Sequence, residues 1–116
     1  MLMIKTFIFL TIMSIVTANN EFRTFEAANS YYNEGNYGDS IELYEKIISD
    51  DLHSSELYYN LGNAYYRQGL VGQSIWAYNK AIVLNPRFGD AKYNLEIAMA
   101  SMKDRIVLPS EFFPVQ

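Results

Sequence analysis

The chain has 116 residues, half of them hydrophobic and 16% aromatic, with 9 Lys and Arg against 13 Asp and Glu and a formal charge of −4. That length allows one small domain, and the absence of cysteine excludes disulfides and thiolate metal sites. The basic residues are scattered and outnumbered, which argues against a nucleic-acid partner, because neutralising phosphates requires a cationic stripe.

The first segment, MLMIKTFIFLTIMSIVTA, carries one early charge, Lys5, then an apolar run from Phe7 to Val16 and small or β-branched residues at Val16, Thr17 and Ala18. This is the layout of a secretory signal peptide, residues 1–18, cleaved after Ala18. A retained membrane anchor is the alternative, although the apolar run is short of the roughly 20 residues that span a bilayer. Cleavage leaves 98 of the 116 residues, and the loss of Lys5 takes the charge from −4 to −5. No cysteine follows the run, so a lipoprotein anchor is excluded.

From Glu21 onward the pattern predicts five helices, Phe22–Glu34, Asp39–Ser49, Ser55–Gln68, Gln73–Leu84 and Asp90–Lys103. Gly35, Gly38, Gly69 and Gly72 fall between the periodic segments, and Pro86 disfavours helical geometry at Asn85. Asp39 with Glu42 three residues on resembles a capping box, and Ser54 or Ser55 can cap the third helix.

The helices repeat with a period of 34 residues: Tyr31 and Tyr65, Tyr32 and Tyr66, Gly35 and Gly69, Ser40 and Ser74, Tyr44 and Tyr78, Asn29 and Asn63, Ile41 and Ile75 all match. Tyr59-Asn60-Leu61 returns as Tyr93-Asn94-Leu95. A two-helix unit of this period resembles the tetratricopeptide repeat. Residues 55–88 carry that pattern nearly whole, with Tyr58 at the usual Trp position, then Leu61, Gly62, Tyr65, Ser74, Tyr78, Ala81 and Pro86. Residues 21–54 form a degenerate copy, residues 89–104 a capping half repeat, and residues 105–116 an irregular tail. The expected fold is therefore all-α, a right-handed array of helical hairpins with about two and a half repeats, marginal against the roughly three that stacked repeats need. Gly62 lets the paired helix approach, and Leu61, Tyr65, Ile75, Tyr78 and Ile82 make buried stripes.

In such an array the first helix of each repeat lines a concave groove, with positions recurring at i, i+4 and i+7. These positions are Phe25, Asn29 and Tyr32, then Tyr59, Asn63 and Tyr66 with Arg67 beside them, and Tyr93, Ile97 and Ala100 in the half repeat. Asn29 and Asn63 match asparagines that hold an extended peptide backbone in many such domains, since an amide both donates and accepts. Phe25, Tyr59, Tyr93 and Ile97 stand where a carboxylate clamp needs Lys or Arg, so an apolar or aromatic peptide is the expected ligand rather than a C-terminal carboxylate. Trp76 falls on a second helix, away from the groove and partly exposed, and its expected role is packing against a neighbouring helix. His53 is a solvated loop residue without the further ligands a metal site needs. No nucleophile–base pair and no phosphate loop is present, so the reading is non-catalytic, with no cofactor and no metal.

The stretches ANSYYNEGNYGDSIELYEKII, LYYNLGNAYYRQGLVGQSIWAYNKAIVLNP and YNLEIAMASMKDRI together resemble the tetratricopeptide protein of the bacterial aerotolerance operon, the BatE-like family, over roughly residues 27–106. The resemblance implies a cell-envelope protein, exported to the periplasm or to the periplasmic face of the inner membrane. It would be encoded beside von Willebrand-domain Bat proteins and a MoxR-type ATPase and would serve assembly or stress tolerance. Many relatives continue into membrane-spanning segments, whereas here the segment LPSEFFPVQ follows. The expected function is a protein–protein interaction module that docks a peptide segment of an envelope partner. The alternative is a structural subunit acting through self-association or membrane association, with the apolar end made by Leu95, Met99 and Met102 and by Phe112 and Phe113 of the tail as the contact surface.

Overall fold

A computed structural model describes residues 1–105, all five of its elements being helices: α1 (Leu2–Asn33), α2 (Tyr37–Ser49), α3 (Ser55–Arg67), α4 (Val71–Leu84) and α5 (Gly89–Arg105). The tail expected to be irregular lies, from residue 106 onward, outside the described residues. The chain divides into two compact units, one covering Met1–His53 and the other the described residues from Ser54 onward. Each is an instance of the expected hairpin: α1 packs on α2 in the first, and α3 on α4 in the second, where α5 adds to α4 and touches α3.

Three of the helix ends share one mechanism. At the end of α1 the Gly35 N–H bonds to the Tyr32 carbonyl and the Asn36 N–H to the Tyr31 carbonyl, both at 3.0 Å or less. At the end of α3 Gly69 and Leu70 bond to Tyr66 and Tyr65 in the same register. This is the Schellman arrangement, which needs a left-handed residue just past the helix. Gly35 and Gly69 supply it with φ of 83° and 85°. At the end of α2 the same pair of bonds forms from Asp51 to Ile48 and from Leu52 to Ile47, and here Asp51, with φ of 65°, takes the strained position. Asn85, before Pro86, is extended at φ −139° and ψ 91°, which ends α4.

Two local expectations change. Asp39 does not cap α2: the helix begins at Tyr37 behind Asn36, which makes no side-chain cap bond, and Asp39 sits inside the first turn, where its charge favours the N-terminal dipole. The predicted break before Phe22 is absent as well, because α1 is one helix of 32 residues. Nothing between Ala18 and Phe22 interrupts it, since neither Gly nor Pro occurs there. The Ser54 hydroxyl does cap α3, accepting from the Leu57 N–H at 3.1 Å.

The core of the first unit is Ala28 against Ile41, Tyr44 and Ile47. Ser40, fully buried, bonds across the hairpin to the Ala28 carbonyl at 2.8 Å. In the second unit Leu57, Tyr58, Leu61, Ala64 and Tyr65 of α3 meet Val71, Ala77, Tyr78 and Ala81 of α4, with Ala91 and Ala98 of α5 completing it. Gly62 is the point of closest approach: a Cβ there would fall 2.6 Å from Cε1 of Tyr78. By contrast, residues 1–20 are exposed throughout. They form an apolar stretch of α1 long enough to cross a membrane by length and composition, with none of it buried in the protein.

Candidate functional site

The residues expected to line a groove fall into one set per unit. In the first unit Asn29 lies on α1 and its Oδ1 accepts a hydrogen bond from the Tyr44 hydroxyl of α2. Phe25, one turn earlier, tilts against the same Tyr44 ring with centroids 5.9 Å apart. Tyr32 meets the edge of Tyr37 at 5.3 Å. These side chains are half-buried, so each has one side committed to the hairpin.

The second unit repeats the plan and adds to it. The Tyr78 hydroxyl donates to Asn63 Oδ1 at 2.7 Å, the same clasp one period on. Asn63 Oδ1 also accepts from Nδ2 of Asn94 on α5 at 2.9 Å, and that amide nitrogen lies 3.3 Å from the Tyr59 hydroxyl. Tyr59 is held between two rings, Tyr78 at 6.1 Å and Phe88 at 4.7 Å. Tyr59 and Tyr66, with Leu95 and Met102, pack against the cluster of Val71, Tyr78 and Ala98. Arg67 is exposed at the end of α3, and Tyr93 is 65% exposed on α5.

Asn63 and Asn94 are thus structural as well as available. A side-chain amide has one acceptor oxygen and one donor nitrogen. In Asn63 the oxygen is occupied twice within the protein, leaving the nitrogen for a ligand carbonyl. In Asn94 the nitrogen is occupied and the oxygen is left for a ligand N–H. One donor and one acceptor side by side match the alternating groups of an extended peptide. Asn94 and Phe88 were not among the residues singled out from the sequence. Asn94 had a signal, because it stands one period after Asn60, whereas Phe88 lies in the turn and has no periodic counterpart.

Among the described residues no group of three or more His, Cys, Asp or Glu could hold a metal ion. His53 faces Asp51 across 3.1 Å in an exposed turn. Burial pushes the Tyr58 phenol above its usual range, and its ring packs edge-on against Trp76 at 5.7 Å.

Comparison with known proteins bears on this arrangement. The family described as tetratricopeptide repeat matches residues 25–95. Among solved structures, a crystal structure of MamA matches with 31% identity and a TM-score of 0.71, covering 79% of this chain and 55% of that one. The chain therefore spans about half the length of the MamA chain it matches. No curated protein matches the sequence.

Proposed function

The chain belongs to the tetratricopeptide-repeat family, a family of protein–protein interaction modules, and from that premise we infer that it docks an extended peptide segment of a partner along α3 and α5. The observation that carries this reading is the pair of half-used amides, Asn63 and Asn94, beside Tyr59, Tyr66 and the exposed Tyr93. The amides would hold backbone groups of the peptide, and the tyrosines would supply contact area to its apolar or aromatic side chains. Phe25, Asn29 and Tyr32 hold the matching positions of the first unit, and Arg67 places a cation at the end of α3. The chemistry is non-catalytic recognition. By resemblance to the BatE-like family the partner is an envelope protein of the Bat type with a von Willebrand domain, the location is the periplasm or its membrane face, and the outcome is complex assembly under oxygen stress.

Tyr93 gives a clean test because its exposed ring carries no hydrogen bond that the fold needs. Peptides selected for binding from a random library should contain an aromatic or branched apolar residue, and Tyr93→Ala should weaken them about tenfold, the loss of one aromatic contact. Thermal unfolding of that variant should be unchanged. Equal affinity of Tyr93→Ala and the parent chain would reject the α3–α5 face as the docking site. Co-purification of a Bat-type protein from envelope extracts, lost in the same variant, tests the narrower assignment.

A further inference from the structure

Helix α4 is apolar on two sides, and the repeat architecture buries only one of them. Val71, Ser74, Ala77, Tyr78 and Ala81 face the unit's interior and are buried. On the other side, Trp76, Lys80 and Val83 share one stripe at i, i+4 and i+7, with Leu84 beside them, while one edge of the Trp76 ring meets Tyr58 of α3. Trp76 is 46% exposed, Val83 76% and Leu84 48%. Lys80 Nζ lies 6.0 Å over the Trp76 ring, and Arg87 is exposed in the turn that follows.

The repeat itself does not demand this face. One period earlier, on α2, the matching positions are Glu42, Lys46, Ser49 and Asp50, all exposed, with His53 where Arg87 stands. That face is the ordinary solvated kind. Its counterpart on α4 has exchanged every acid for an apolar residue, and α4 has no Asp or Glu along its length. In a chain of net charge −4, an acid-free helix bearing Lys80 beside exposed Trp, Val and Leu is a local reversal of both charge and polarity.

We propose that this face of α4 is a membrane-docking surface that takes the headgroup layer of anionic phospholipids. Tryptophan settles at the boundary between headgroups and acyl chains. Val83 and Leu84 enter the same layer from one side of a helix lying in the membrane plane. Lys80 and Arg87 keep their charges among the phosphates while their stems lie along apolar surface. A second copy of the chain would set one cationic face against another with no acid on either α4 to offset them. The inference is independent of the peptide reading, which uses the other elements of the unit.

Trp76 is the only tryptophan in the sequence, so its emission reports this face alone. Bulk sedimentation with vesicles is no test, since the apolar part of α1 can itself enter a bilayer. The full chain should show a shift of Trp76 emission to shorter wavelength with phosphatidylcholine vesicles containing phosphatidylglycerol, together with quenching by acyl-brominated lipid. Phosphatidylcholine vesicles alone should give neither. Lys80→Glu with Arg87→Glu should raise the vesicle concentration for half-maximal shift about thirtyfold or more, from about fivefold per basic charge removed. Helical content should be retained, because both side chains are exposed. Unchanged emission, an equal response to neutral vesicles, or a concentration-dependent shift without any lipid would overturn the proposal, the last by assigning the face to a second copy.

Discussion

At the scale of single residues, the second unit depends on an absence. Gly62 has no Cβ, and the buried Tyr78 ring occupies that space while its hydroxyl is tied to Asn63. Gly62→Ala must displace the ring or lose the clasp, so it should cost about 1–3 kcal/mol of stability, the range for overpacking a core, measured by thermal or urea unfolding. The first unit carries Ala28 at the same point of its period, fully buried, so a methyl is already accommodated there. Asp51 offers the opposite sign. It holds a left-handed backbone that costs a non-glycine residue about 1–2 kcal/mol. Asp51→Gly should relieve part of that strain and raise the unfolding midpoint, since the exposed contact with His53 that it loses contributes little. Tyr58 adds a pH term. Burial raises its phenol pKa in the folded chain, so the folded state holds the proton more tightly than the unfolded one. Its contribution to stability is therefore whole below the unfolded value of about 10 and is lost as pH rises from there toward the folded value. Alkaline unfolding curves should show this decline, and Tyr58→Phe should flatten it.

At the scale of elements, what could be read from sequence tracks what each signal physically reports. The 34-residue period, the glycines at 35 and 69 and the proline at 86 placed α2 to α5 within about two residues, because those residues act on the backbone where they stand. Ser54 was legible as a cap for the same reason, and Ser54→Ala should cost about 1 kcal/mol, read as a lower midpoint. Asp39 was misleading: a first-turn acid and an N-cap acid look alike in sequence, and only the Schellman turn at Gly35 and Asn36 fixes where α2 begins. The start of α1 was misplaced because an apolar N-terminal stretch and a helix without an internal breaker join seamlessly. The periodic pattern found the tyrosines and asparagines of the candidate site. It could not show that each asparagine oxygen is already engaged by a tyrosine 15 residues away, since that pairing exists only once the hairpin closes.

At the scale of the whole molecule, the apolar N-terminal stretch and the repeats are energetically separable. Residues 1–20 contribute nothing to either core, the first buried residue being Ala28. Removal after Ala18, as the leader pattern implies, should leave the unfolding midpoint of the remaining 98 residues unchanged, with intact mass locating the new terminus at Asn19. The second unit is small, a hairpin with one added helix, so its stability has little margin to lend to function. Asn63 Oδ1 accepts from both the Tyr78 hydroxyl and Asn94 Nδ2, so a peptide docked as proposed would have a direct hold on that margin. A peptide gripping both amides would bind the assembled unit and not the unfolded chain. By mass action it would add about 2.7 kcal/mol when present at one hundred times its dissociation constant. Partner and fold would then be thermodynamically linked, each scarce without the other, and the level of the docking segment would set how long this short array survives proteolysis.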